Sequence, residues 1–362
     1  MRVLRKLVQS RAVGMILAAL LVGVGIGWLL PFSNPFFANA IASDRGAVLY
    51  ESNESYRYID PLLACDIGSQ GVFVEFAPLK KKLSSLIDQK ITSGDAEHIS
   101  VYMRSVKSGR WFDINSSETY APASLLKVFV MMTYYKEADE TDEPSRLQQK
   151  VRFEASANSE HETPGETIPH LQIGKLYTIH DIIRQMIIYS DNDALNTLLD
   201  NFDPQTLTYF NLIFKNLNIP SPVTQDENTF DFMTVDQYAM VFRVLFGTTF
   251  LSERYSEDAL TLLTQAHYKG GLAAGIPDDL AIAHKFGVTT VPGKVGNPSA
   301  NELHDCGIIY YPNHPYLLCI MTQGQDFAKL QLSIKDISTA AYQWLDVYFK
   351  SLPPATPTAA NR

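Results

Sequence analysis

Three short strings in this chain hold residue types and spacings that could do chemistry. The first is Ser124-Leu125-Leu126-Lys127. Residues three apart share a helix face, so a helix here would set the Ser124 hydroxyl beside the Lys127 amine. Leu125, Leu126, Val128, Phe129, Val130, Met131 and Met132 surround the pair, and Lys127 is the only charge before Lys136. Such a helix is apolar all round and should be buried. Burial biases a lysine toward the neutral amine, which could take the proton of an attacking serine. Near the helix start, Ser124 would also lie close to free backbone N–H groups and the positive end of the dipole, which suits a developing oxyanion. The plainer alternative is a serine N-cap followed by a lysine that extends to solvent.

The second string, Ser190-Asp191-Asn192, lies between the apolar helical stretches Ile182–Tyr189 and Ala194–Leu199. Ser190 could relay a proton to a leaving nitrogen and Asn192 could hydrogen-bond a substrate amide, although all three residues are also good N-cap and turn formers. The third is His284-Lys285-Phe286-Gly287, read as the end of an apolar strand. There Lys285 could bind a substrate carboxylate, Gly287 would let substrate approach the backbone, and the Val288 N–H could be a second oxyanion donor. The alternative is an exposed lysine beside a turn glycine.

In this order the strings resemble the signature of class A β-lactamases and penicillin-binding proteins, S-x-x-K, S-D-N and K-T-G. Tyr120-Ala121-Pro122-Ala123, Ala194-Leu195-Asn196 and Ala274-Gly275-Ile276-Pro277 leading to Ala283 are similar to that family's surroundings, and the resemblance spans about residues 78–350. It implies an α+β fold, a mostly antiparallel five-stranded sheet flanked by helices with an inserted helical subdomain, and an active site between the two. It also implies a serine hydrolase that opens a β-lactam or related amide through a Ser124 acyl-enzyme, with Lys127 as base and no cofactor or metal. A penicillin-binding D,D-peptidase acting on cell-wall peptides is the second expectation, and a catalytically silent binding protein on the same fold the third.

Two departures from the family pattern matter. Phe286 stands where K-T-G has a hydroxyl, which removes one hydrogen bond to a substrate carboxylate and sets a ring in that space. No intact E-x-x-L-N occurs between Asn192 and Lys285; the nearest string is Glu227-Asn228-Thr229-Phe230-Asp231. Glu227 is the candidate deacylation base, and Asp231 in place of a water-holding Asn is expected to slow deacylation. There is no H-E-x-x-H, P-loop or G-x-G-x-x-G.

The elements that must position these strings are legible in outline. Residues 78–92 read as a helix, and His98–Val106 and Trp111–Ile114 as a hairpin around Lys107-Ser108-Gly109. A helix follows from Ser124, and helical signals dominate from about 125 to 267, with Thr234-Val235-Asp236-Gln237 fitting a capping box. Leu280–Phe286, His304–Tyr311 and Tyr316–Thr322 read as strands, and Ile334, Ile337, Ala341, Trp344, Leu345 and Tyr348 as one face of a last helix. Strands at both ends with helices between predict one antiparallel sheet built from both ends of the domain.

At 362 residues, 46% hydrophobic and 19% charged, the chain is long enough for a real core and is neither disordered nor fibrous as a whole. Formal charge is −9; since the first eleven residues carry +4, the rest carries −13, which argues against a nucleic-acid partner. Ala12–Leu30 is an uncharged run of nineteen residues, about 28 Å of helix at ~1.5 Å per residue, behind a basic flank. It predicts a single-pass membrane anchor within segment 1–40 with the catalytic domain outside. Ala38-Asn39-Ala40 offers the alternative, secretion after cleavage near Ala40. Residues 41–77 read as a stalk, 78–350 as the hydrolase domain and 351–362 as a disordered tail. Cys65, Cys306 and Cys319 make no metal or redox motif. A two-residue turn at Pro312-Asn313 would set Cys306 opposite Cys319, as a disulfide or as two buried thiols.

Overall fold

The computed structural model describes residues 57–58, 73–141, 145–154, 171–222, 231–292 and 299–352, all within Asn53–Arg362. The apolar run Ala12–Leu30, the Ala38–Ala40 string, Cys65, Glu227 and the tail beyond Leu352 lie outside the described residues. Among the described residues no helix is long and apolar enough to cross a membrane. Within the segment read as a stalk, the Arg57 and Tyr58 N–H groups donate to the Glu257 carboxylate at 3.0 and 2.9 Å, so this stretch is docked on the domain.

The chain opens with helix α1 (Ala77–Thr92), strands β1 (His98–Ser105) and β2 (Trp111–Ile114), and the short strand β3 (Thr119–Tyr120). A 3₁₀ turn, Ala123–Leu125, leads into α2 (Leu126–Glu140), followed by α3 (Ser145–Gln148), β4 (Lys150–Arg152), β5 (Leu176–Thr178), α4 (Ile179–Tyr189), α5 (Asn192–Asp200) and α6 (Pro204–Leu217). Then come β6 (Met233–Thr234), α7 (Val235–Phe246), α8 (Glu253–Thr264), β7 (Ile282–Val291), β8 (Ala300–Ile309), β9 (Tyr316–Gly324) and α9 (Phe327–Ser351). The main sheet has five strands in the order β2-β1-β9-β8-β7, every pair antiparallel. It joins the two ends of the domain: His98 of β1 faces Gln323 of β9.

Period-two alternation explains the layering. In β9, Leu317, Cys319 and Met321 join the cluster shared with the helical subdomain, whereas Tyr316, Leu318 and Ile320 join the cluster against α1 and α9. A sheet covered on both faces reads as a continuous apolar run, as Tyr316–Met321 does. Side chains fix the helix starts. Thr178 with Asp181 and Thr234 with Gln237 form capping boxes at α4 and α7, and Asp203 and Asp326 cap α6 and α9.

Strand bounds differ from the sequence expectation in an informative way. β7 does not stop at Phe286 but continues through Gly287 to Val291, because Gly287 is extended and the β-branched run Val288-Thr289-Thr290-Val291 carries the strand on. Lys285 is therefore an interior strand residue, 1% exposed. Ser124 belongs to the 3₁₀ turn and not to the α-helix behind it. The stretch read as helical also holds the β4–β5 ladder and strand β6, which pairs with β3 ahead of it. The β8–β9 hairpin has the expected register, Ile309 facing Tyr316 and Cys306 facing Cys319, and that cysteine pair forms a disulfide.

Candidate active site

The chain enters the site at Ala121. Its N–H donates to Glu302 Oε2 at 2.9 Å and its carbonyl accepts from His304 Nε2 at 3.0 Å. Because the Thr322 N–H donates to His304 Nδ1 at 3.3 Å, Nε2 carries the imidazole proton. Both partners come from β8 and are fully buried. Ala123 then takes a left-handed conformation with φ +48°, a strained choice for a residue with a Cβ. A Cβ added at Gly287 would meet Pro122 O at 3.1 Å and Leu125 N at 3.2 Å, so Gly287 is where the strand and the serine turn meet. Its missing side chain admits the protein's own backbone.

Ser124 ends up 4% exposed and Lys127, in the first turn of α2, wholly buried. The 3₁₀ turn eclipses positions three apart, and Lys127 Nζ lies 2.7 Å from Ser124 Oγ. It also reaches Ser190 O at 2.6 Å, Asn192 Oδ1 at 2.7 Å and Ser190 Oγ at 3.2 Å. Two of these four oxygens are obligate acceptors, and two are hydroxyls able to give or take a proton. A neutral amine is satisfied by donating to the carbonyl and the amide while accepting the Ser124 O–H. An ammonium is satisfied by donating to the carbonyl, the amide oxygen and one hydroxyl. The cage thus suits the lysine before and after it gains a proton.

Ser190 sits at the left-handed C-cap of α4, φ +56°. Asp191 next to it caps α5, accepting from Ala194 N at 3.0 Å, while its other oxygen accepts from Gln185 Nε2 at 2.9 Å. The middle residue of this string is therefore a structural cap that aims its neighbours inward. Lys285 Nζ completes the group, donating to Ser190 Oγ and to Phe286 O, each at 2.7 Å. A continuous chain, Ser124–Lys127–Ser190–Lys285, joins all three strings. Val288 is half-buried on β7, an edge strand of the sheet. Asp231 is half-buried; Glu227 lies in 223–230, outside the described residues.

The beta-lactamase enzyme family matches the chain over residues 78–345. The chain belongs to that family. Among solved structures it is similar to PBP-A, at 18% identity and TM-score 0.59 over 75% of this chain and 97% of that one. A β-lactamase from Xanthomonas campestris gives 19% identity and TM-score 0.60 over 76% and 100%, and one from Sphaerobacter thermophilus 19% and 0.60 over 76% and 98%. At such identities these likenesses establish the fold, which is that of class A β-lactamases. No curated protein matches.

Several residues that shape the site escaped the sequence reading. Glu302 and His304 hold Ala121, Gln185 holds Asp191, and Tyr238 donates from its hydroxyl to Leu125 O at 3.2 Å. One signal was present: Glu302, His304 and Asp305 stand within a strand that ends in an apolar run, and ionisable groups buried in a strand need partners.

Proposed function

We propose that the chain is a membrane-anchored, extracytoplasmic serine hydrolase that acylates Ser124 with a β-lactam or a related amide. The observation that carries this reading is the 2.7 Å approach of a fully buried Lys127 Nζ to Ser124 Oγ, with acceptors for both of its remaining N–H groups. Lys127 takes the Ser124 proton as Oγ bonds to the amide carbonyl carbon. As the C–N bond breaks, the proton passes by way of Ser190 to the leaving nitrogen. Asn192, whose Oδ1 accepts from Lys127, offers its Nδ2 to the substrate amide. The Ser124 and Val288 N–H groups receive the oxyanion. Water then attacks the ester, with Glu227 as base. The chain after Glu227 returns beside the serine segment, Phe232 N–H donating to Tyr120 O at 3.1 Å, which supports that assignment.

A cell-wall D,D-peptidase is the second reading, favoured by Asp231 in place of an Asn and by the likeness to PBP-A, one structure of which is described as an acyl-enzyme complex with penicillin G. Export is supported by the basic flank, the apolar run and the Cys306–Cys319 disulfide, a bond that persists in oxidising compartments. The test is incubation of the protein with a fluorescent penicillin while the adduct is followed by mass spectrometry. Formation followed by release supports the hydrolase, and a lasting adduct the peptidase. No adduct contradicts both and leaves a binding protein.

A further inference from the structure

Strand β7 is an edge strand of the sheet and carries Lys285 on the face toward the serine turn, with Phe286 on the opposite face beside Asp305 of β8. The two side chains meet around the edge: Lys285 Nζ lies 4.3 Å from the Phe286 ring centroid. Phe286 in turn stacks on Tyr268 with centroids 4.1 Å apart and planes at 28°. Phe286 is 6% exposed and Tyr268 8%, so hydrocarbon fills the space beside the ammonium.

The stack is held from behind. The Tyr268 hydroxyl donates to Gln331 Oε1 at 3.3 Å. The Asp305 carboxylate accepts from the Leu272 N–H and lies against His284 Nδ1, both at 2.9 Å. A Cβ on Gly271 would strike Asp305 Oδ2 at 2.6 Å, which keeps that backbone pressed on the strand.

An anion docking on this edge needs donors that replace its water. Lys285 already donates to Ser190 Oγ and Phe286 O, and position 286 offers no hydroxyl. From Ile282 to Gly324 there is no arginine, and on the Phe286 face β8 brings the buried Asp305 carboxylate. Lys285 is engaged within the protein and the ring beside it supplies no donor, an arrangement that favours a neutral group over an anion there.

We propose, resting on the acyl-enzyme reading above, that the substrates are amides or lactams presenting an uncharged group toward Lys285, the Tyr268–Phe286 stack setting this specificity. Lys285 then serves as the partner that orients Ser190 and not as a carboxylate receptor.

The experiment compares a fluorescent penicillin free acid with its methyl ester, measuring the rate of Ser124 labelling in the parent, Phe286→Thr and Phe286→Leu. The parent should label with the ester at least about tenfold faster than with the acid. Phe286→Thr should move that ratio toward the acid by about tenfold or more, and Phe286→Leu, which keeps the space apolar, should retain the ester preference. A parent that prefers the acid overturns the proposal, whatever the variants do. A ratio unchanged in Phe286→Thr overturns the role of the stack. If neither probe labels the parent, the acyl-enzyme reading itself fails and takes this inference with it.

Discussion

Removing the Glu302 carboxylate tests whether the nucleophile is positioned from the strand behind it. Glu302 Oε2 accepts from the Ala121 N–H at 2.9 Å and Oε1 from Gln323 Nε2 at 2.7 Å, with His304 Nε2 at 3.4 Å. Glu302→Leu strips the acceptor from a buried backbone N–H, which costs about 1–3 kcal/mol, and leaves the Gln323 amide to find another acceptor. A total of about 2–4 kcal/mol of stability should be lost. Glu302→Gln keeps an acceptor oxygen at the same reach and exchanges a charged bond for a neutral one, a change of about 1 kcal/mol. The effect on chemistry follows from position. Ala121 lies three residues before Ser124, and the intervening Ala123 holds a strained φ of +48° that relaxes once its anchor is lost. A displacement of about 1 Å at a reacting atom can cost 10²-fold. Labelling of Glu302→Leu should therefore slow by about tenfold or more, and that of Glu302→Gln by about threefold or less. The assay is the single-turnover rate of fluorescent-penicillin labelling, measured well below each melting temperature. Parental labelling by Glu302→Leu despite a lowered melting temperature would refute the positioning argument, as would a Glu302→Gln variant as slow as the leucine.

Gly287→Ala forces a Cβ to 3.1 Å from Pro122 O; overpacking of about 1–3 kcal/mol should lower the melting temperature and slow labelling together, and calorimetry beside the labelling assay checks both. Lys127→Met replaces a fully buried amine with hydrocarbon and takes the donor from Ser190 O and Asn192 Oδ1, so labelling should disappear and stability fall by about 1–3 kcal/mol; equal labelling would remove Lys127 from the mechanism. His180 Nε2 lies 3.1 Å from Asp258 Oδ2, and that hydrogen bond raises the imidazole pKa above its ordinary 6.5. A folded-state pKa above the unfolded one means the bond's full contribution is present below about pH 6.5 and is lost as pH climbs through the raised value. The melting-temperature gap between the parent and His180→Gln should accordingly be wide at acid pH and narrow toward pH 9; an equal gap at both ends contradicts this. Pre-steady-state kinetics should show a burst of β-lactam opening and then slow turnover that Asp231→Asn speeds, whereas rapid turnover without a burst in the parent would contradict the slow-deacylation reading.

The sheet was legible because its strands are bounded by turn residues and covered on both faces, and the Pro312-Asn313 turn alone placed Cys306 opposite Cys319. The S-x-x-K, S-D-N and K-F-G strings were legible as chemistry because their order and surroundings resemble a family signature, while each alone also reads as a cap, a turn or a solvent-facing lysine. What escaped was long-range. Nothing local marks Glu302 as the partner of Ala121, 181 residues away. Nor does local sequence show that Lys285 is interior, since Gly287 looked like a strand end until the serine turn was found packed against it. The left-handed residues Ala123 and Ser190 were equally hidden, because tertiary hydrogen bonds and not intrinsic preference hold them.

Localising the acyl group tests the central claim most directly. The protein is incubated with excess β-lactam and quenched in acid, and the modified peptide is mapped by tandem mass spectrometry in the parent and in Ser124→Ala. The account predicts a single adduct, of the mass of the intact lactam, on the Ser124 hydroxyl in the parent and none in Ser124→Ala, with nearly unchanged melting temperatures. An adduct on another residue, or one that persists undiminished in Ser124→Ala, would contradict it.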